Sequence, residues 1–470
     1  MVFTSVSFLF FFLPVFLATH FLTPARWRNL HILVLSLIFY VVGGGVYTWL
    51  FLFSIVANHF GGVKIAASTG STRKTWLILT LAVDLGLLGW FKYAIFFTHS
   101  LNSVLGGLAL GAIPVPSIIL PIGISFYTFQ GMAYAIDVYN SHHQPARSLA
   151  DFAVFKSCFP QIIAGPIVRF SDVSEAIVSR AVTLEGFHSG SLRFAWGLFR
   201  KMVIADSLAK IADVAFSTPL VERGAALAWV GIICYTLQIY HDFAGYSDMA
   251  IGMGRMMGFT FPENFAEPYR ASSITMFWRR WHITLSSWFR DYLYIPLGGN
   301  RTGPWMTYRN LFVVFLLCGL WHGAAYTFVV WGIYHGTLLI IERVANDHFG
   351  FRPSGAWWLP TIVLVMVGWV FFRAEDLPKA FDYLQSLVGR GGSTPPLLPL
   401  HYYLTADRVS ILCLAALLVA TPLEWAQAQL ARCNRSLVLS LQSSGALLLL
   451  VYASIVLASN GYNPFIYFRF

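Results

Sequence analysis

Long apolar runs separated by short polar links dominate the chain. A membrane span takes about 20 apolar residues, and the first run of that size is Phe3–Leu22. The next, Leu30–Phe60, is interrupted by Gly43-Gly44-Gly45. A glycine triplet is strong punctuation, so two short or tilted spans in a hairpin are expected there. Further runs follow at Trp76–Phe97, Ile118–Val138, Leu227–Tyr240 and Leu311–Ile341, then at Trp358–Phe372, Val409–Glu424 and Ala446–Ala458. At about 1.5 Å per residue the 311–341 run is too long for one span. A break is expected at Gly319–Gly323. Between Asp151 and Lys210 the pattern changes to short apolar pieces cut by Pro160, Gly165-Pro166, Arg169, Arg193, Arg200 and Lys201. Such pieces are too polar to cross lipid bare and predict interfacial or re-entrant helices covered by other protein. The link from Glu375 to Asp407 is proline-rich and predicts one surface helix. The whole reads as an all-α polytopic integral membrane protein of about 10–11 transmembrane helices plus re-entrant or interfacial helices. It is expected to form a single domain: N-terminal spans over 1–150, a core over 151–345 and C-terminal spans over 346–470.

Composition agrees. The 470 residues are 57% hydrophobic, 17% aromatic and 11% charged, with a mean hydropathy of +0.65. A soluble domain carries about 25% charged residues, so this supply cannot cover a water-exposed surface. The net charge of +10 therefore points to cytoplasmic loops, lipid headgroups or an anionic substrate, and not to nucleic acid. Links bearing Arg26/Arg28, Lys64/Arg73/Lys74 and Arg147 are predicted to be cytoplasmic, and the Lys/Arg-free segment 99–117 external. That puts the N-terminus outside. Met1–Leu22 has no basic residue before Arg26 and reads as a retained first span rather than a signal peptide. Cys158, Cys234, Cys318, Cys413 and Cys433 show no CxxC pairing and read as small hydrophobes, with no metal or disulfide framework.

Most of the membrane-unfriendly chemistry lies between Phe277 and His322. The segment 277–301 reads F-W-R-R-W-H-I-T-L-S-S-W-F-R-D-Y-L-Y-I-P-L-G-G-N-R, and an apolar run then carries G-L-W-H-G-A at 319–324. On one helix, Phe277, Trp281, Leu285 and Trp288 form an aromatic stripe, while Arg279, His282 and Ser286 occupy another face. Pro296 and Gly298-Gly299-Asn300 would stop that helix. Arg279, Arg280, Arg290 and Arg301 then either meet lipid headgroups or clamp a phosphate, for which guanidinium groups are well shaped. His322 is either a hydrogen-bonded core residue or a general base. Burial keeps an imidazole neutral, and the small neighbours Gly319, Gly323 and Ala324 leave room for a substrate. A neutral imidazole can take the proton of a hydroxyl that attacks an acyl carbon. His282 could assist or orient it, and His335 reads as structural or peripheral. Asp242, Tyr246 and Asp248 are either satisfied packing polars or a second polar group of the site.

At these residues the sequence resembles the membrane-bound O-acyltransferase family, in its bacterial branch that acetylates exopolysaccharides. The resemblance covers most of the chain. It is carried by L-P-I-G-I-S-F-Y (120–127), I-A-G-P-I-V-R-F (163–170), G-Y-S-D-M-A-I-G (245–252), F-W-R-R-W-H (277–282), D-Y-L-Y-I-P-L-G-G-N-R (291–301) and G-L-W-H-G-A (319–324). His241 and Ala244 depart from the pattern, where an aromatic residue and a serine are usual. The resemblance implies a fold built around a central tunnel, with His322 as the essential family histidine and His282 as the second polar site residue. It also implies acetyl-CoA as the cytoplasmic donor and no metal. An SGNH-type periplasmic acetyltransferase is expected as relay partner, and a bacterial inner membrane as location. The chain ends at N-P-F-I-Y-F-R-F (463–470), which leaves cellulose as open as alginate for the acceptor. Two other classes stay open: a proton-coupled transporter of an activated small molecule, with the histidines as relay, and a D-alanyl or other acyl transferase of the same family. The absence of a transporter-type repeat weighs against the transporter.

Overall fold

A computed structural model describes residues 2–394, 399–421, 428–429 and 434–460. Every regular element among them is a helix. Among the described residues five helical stretches are long and apolar enough to cross a membrane, at 25–67, 70–107, 326–349, 355–373 and 437–459, and Phe8–Leu22 adds a shorter apolar helix. The protein is an all-α, multi-pass membrane protein. The stretch 25–67 consists of helices Arg28–Gly44 and Thr48–Ala67, separated where Gly45 takes a φ of 53°. The glycine triplet thus supplies the left-handed backbone that other residues resist. The stretch 70–107 changes winding at a π-helical turn, Gly89–Tyr93, and continues helical to Gly107. Part of the segment expected as an external loop is therefore helix. Helix Ala406–Ala420 occupies the Val409 run; Glu424, Cys433 and the terminal 463–470 lie outside the described residues.

The described chain divides into two compact units, Met1–Gly190 with Ala250–Pro262, and Ser191–Met249 with the residues from Glu263 onward. In the first unit the irregular region becomes the short helices Leu149–Ser157, Phe159–Ile162 and Phe170–Val178. Residues 152–168 are buried without exception, which meets the requirement that broken backbone at membrane depth be covered by protein. Gly123 (φ 72°) opens the helix Ile124–Tyr139, and a Cβ there would strike the Ile162 carbonyl. Beneath it lies a buried polar set that the hydropathy pattern hides. Lys156 Nζ donates to Ser54 Oγ (2.7 Å) and Asn58 Oδ1 (2.8 Å), and Asn58 Nδ2 donates to Asp84 (3.0 Å). Lys156 and Asp84 are both fully buried, and a buried charge is tolerated only when partnered in this way.

In the second unit, helices Leu184–Phe199 and Ala225–Met256 approach closely where Gly197 meets Gly245. A Cβ on Gly245 would sit 2.7 Å from the Gly197 carbonyl oxygen, so the glycine of the G-Y-S-D motif is a packing glycine. One turn on, Asp248 accepts from Arg193 Nε (2.6 Å) and Arg200 Nη1 (2.8 Å), while Arg193 also reaches Glu263 (2.6 Å). Lys201 pairs with Asp206 (2.6 Å) and Asp242 (3.0 Å). Asp242 and Asp248 thus belong to an ion-pair network that anchors the π-helical segment Arg200–Ala205. For these two carboxylates the packing alternative holds.

The 311–341 run does break, but later than expected: Gly319–His322 remain helical, and the break falls at Gly323–Ala325, between helices Pro304–His322 and Tyr326–Phe349. The two form a tight antiparallel pair. A Cβ on Gly319 would lie 3.1 Å from Gly332 Cα, and one on Gly336 would lie 3.2 Å from Phe315 Cβ. The glycine beside His322 is therefore used up by helix packing. Gly323 faces the Phe328 ring in the same way. The expectation that Gly319 and Gly323 leave space for a substrate is not met: their missing side chains admit Phe328 and the neighbouring helix.

Candidate active site

The segment from Phe277 does not form one amphipathic helix. Two seven-residue helices, Ile274–Arg280 and Ile283–Phe289, are separated at Trp281-His282, and His282 has φ 44° and ψ 56°. The periodicity missed this break because histidine carries no helix-breaking signature. The aromatic stripe survives it, and Phe277, Trp281, Leu285 and Trp288 are all buried. Left-handed backbone costs a non-glycine residue about 1–2 kcal/mol, and tertiary bonds compensate. Ile283 N donates to the Asn264 carbonyl (2.9 Å). Asn264 Oδ1 accepts from Thr284 Oγ1 (2.8 Å) and from Thr284 N (3.3 Å), and Asn264 Nδ2 donates to Ser247 Oγ (3.2 Å).

That network fixes the state of the His282 ring. Its Nδ1 lies 3.0 Å from Asn264 Oδ1. Since Oδ1 already accepts from a backbone N–H, it is an acceptor, and Nδ1 must be the protonated donor. Nε2 then carries the lone pair. The ring is fully buried and meets Phe243 edge-on at 4.6 Å.

His322 ends its helix. Its imidazole stands in an aromatic cage, with centroids 5.0 Å from Trp321, 5.0 Å from Trp331 and 5.1 Å from Phe372, each near perpendicular. The Trp321 indole also lies 6.0 Å from the His282 ring. The two histidines, 40 positions apart in sequence, therefore flank one tryptophan. His335 is fully buried and accepts from Trp278 Nε1 (3.4 Å), a structural role as expected.

The four candidate arginines divide differently. Arg290 is exposed and its guanidinium is engaged by Asp291 (2.6 Å). Arg280 donates to the Glu267 carbonyl (3.4 Å). Arg279 and Arg301 are exposed with no protein partner among the described residues. An exposed guanidinium of this kind serves a headgroup or a ligand phosphate equally well, so both alternatives stand. Sequence reasoning missed Asn264, Thr284, Trp331 and Phe372. Asn264 sits in an irregular segment without periodicity, and the aromatic residues are indistinguishable from core until the fold stacks them around His322.

A family model described as the membrane-bound O-acyltransferase family matches residues 140–363. A probable alginate O-acetylase of Pseudomonas putida is 43% identical over 488 residues, covering 100% of both chains. The chain belongs to the membrane-bound O-acyltransferase family. Family membership makes it an O-acyltransferase. A peptidoglycan O-acetyltransferase of Helicobacter pylori is 38% identical, over 83% of this chain and 80% of its own length. A teichoic acid D-alanyltransferase of Bacillus subtilis is 29% identical, over 55% and 68% respectively. The family match spans the ion-paired Arg193–Asp248 network, the broken helix at His282, and His322 with Trp321 and Trp331, while Phe372 lies beyond it.

Proposed function

We propose that this O-acyltransferase moves acetyl groups from cytoplasmic acetyl-CoA across a bacterial inner membrane for O-acetylation of an exported polysaccharide of the alginate type. Delivery passes through an SGNH-type periplasmic acetyltransferase partner. The observation that carries the acetyl reading is the alignment, end to end, with an alginate O-acetylase; the D-alanyl relative aligns over little more than half the chain. In this reading Nε2 or Nδ1 of neutral His322 takes the proton of the acceptor hydroxyl as its oxygen attacks the thioester carbonyl carbon. The tetrahedral intermediate expels the coenzyme thiolate, which recovers that proton. His282, with its lone pair on Nε2, accepts a hydrogen bond that orients the reacting groups. Trp321 keeps the two imidazoles in register and, with Trp331 and Phe372, excludes water, which would otherwise hydrolyse the thioester. Arg279, Arg280, Arg290 and Arg301 hold the phosphates of the donor.

The test is thiol release from acetyl-CoA by the purified protein in nanodiscs, with and without acceptor, alongside the acetyl content of the exported polymer in cells. Histidine-dependent thiol release supports the reading. Acetylation in cells together with complete inertness toward acetyl-CoA would replace the donor with another acyl carrier.

A further inference from the structure

Phe372, which packs on the His322 ring at 5.1 Å, is the penultimate residue of helix Trp358–Arg373. The next two residues, Arg373 and Ala374, line a cavity of about 390 Å³. Ligand cavities are commonly about 300–1,000 Å³, so one sugar unit with its neighbours fits. The cavity begins one residue from the wall of the proposed transfer site.

It is a built polar site. Arg223 is 3% exposed and is held by three bonds, from Nε to Ser386 Oγ (3.1 Å) and from Nη1 to the Thr218 (2.9 Å) and Ala215 (3.2 Å) carbonyls. Its guanidinium lies 4.5 Å over the Tyr383 ring. Arg373 donates from Nη2 to Asp213 (2.6 Å) and lies 5.5 Å over Phe216. Its Nε is buried with no hydrogen-bond partner. Phe216 and Tyr383 stack on each other at 4.0 Å, so both guanidinium groups rest on one aromatic sandwich. The rim at 218–223 is tied down by Gly392 N to the Leu220 carbonyl (3.0 Å) and Thr394 N to the Val221 carbonyl (2.8 Å). Lys379, paired with Glu375, and Asp382 complete the lining.

Sidedness follows from the same helices. Pro304–His322, Tyr326–Phe349 and Trp358–Arg373 run alternately, so the His322 end and the Arg373 end coincide. The opposite end carries Arg301, Arg309, Arg343 and Arg352 and is cytoplasmic by the positive-inside bias. The cavity therefore opens on the outer side.

Its chemistry mixes fixed guanidinium donors, one of them unsatisfied, with carboxylates that accept hydroxyl protons and an aromatic base. That combination suits a hydroxyl-rich ring bearing a negative charge, since guanidinium forks match carboxylates and a buried unpaired donor gains most from an anionic acceptor. We infer that this cavity holds a carboxylated pyranose unit of the acceptor polysaccharide, tethering the polymer beside the point where the acetyl group emerges. The inference rests on the polysaccharide reading above.

The experiment is binding of two probes, a uronate tetrasaccharide and a neutral glucose tetrasaccharide, to the full chain in nanodiscs by titration calorimetry. The expected result is that wild type prefers the uronate probe by about tenfold or more, and that Arg373→Gln abolishes the preference. Lys379→Gln, at an exposed pair that does not endanger folding, weakens uronate binding by about threefold. Equal binding of both probes, or uronate binding unchanged in both variants, overturns the inference. So does absence of uronate binding where the variants instead release a co-purifying periplasmic protein. The two readings fail separately. Thiol release from acetyl-CoA without uronate binding removes the cavity assignment alone, and uronate binding without thiol release removes the donor assignment alone.

Discussion

Replacing Asn264 by alanine probes the link between the broken helix and the chemistry. Asn264 is buried and makes four side-chain contacts, to His282, to Thr284 twice and to Ser247. At about 1 kcal/mol net per bond, and more where a buried group is left unsatisfied, the loss is about 3–5 kcal/mol. The Ile283 N bond uses the Asn264 backbone carbonyl and survives. The local path of the chain is therefore kept, while the imidazole is released from the partner that fixes its tautomer. Displacement of a reacting group by about 1 Å can cost about 10²-fold in rate. The assay measures two quantities on the same preparation, the thermal midpoint in detergent and thiol release per folded molecule well below that midpoint. A lowered midpoint and a turnover reduced by about 10²-fold are expected. A lowered midpoint with wild-type turnover would refute the reasoning and leave Asn264 as a purely structural residue.

His282→Gly relieves the left-handed backbone (φ 44°) while deleting the ring, whereas His282→Ala keeps the strain. Glycine should be more stable than alanine by about 1 kcal/mol with both equally inactive, and equal melting midpoints would contradict the strain assignment. Gly332→Ala forces a methyl to within 3.2 Å of Gly319 Cα and against the Phe315 carbonyl. It should cost about 1–3 kcal/mol and lower turnover through displacement of the neighbouring Trp331, both read in the same thermal and thiol assays. Arg279→Gln combined with Arg280→Gln should raise the apparent KM for acetyl-CoA by about tenfold or more, two charge-assisted contacts being lost, with the melting midpoint unchanged. An unaltered KM would assign both arginines to the lipid headgroups.

Much of the architecture was written in hydropathy. The glycine triplet at 43–45, the short helices Leu149–Ser157 and Phe159–Ile162 and the break beside His322 all follow from local composition. What the pattern could not carry is anything set by tertiary packing. Lys156 and Asp84 lie in apolar surroundings and are linked, through Asn58, only when their helices assemble. The helix expected through Trp281 and His282 breaks because Asn264, in the irregular segment 18 residues earlier, supplies the bonds that make a left-handed histidine acceptable. Gly319 looks like an opening in the sequence and is a contact in the fold, because only the structure shows Gly332 opposite it. The two candidate histidines stand out in their ordered motifs, whereas the tryptophan between them is one aromatic residue among many.

The central claim is that the imidazole of His322, caged by Trp321, Trp331 and Phe372, abstracts the proton that lets an acyl group change carriers. It is tested most directly by His322→Ala, comparing acetyl content of the exported polysaccharide with the amount of protein in the membrane. Wild-type abundance with acetylation lost is the predicted result. Wild-type acetylation at that abundance would contradict the claim.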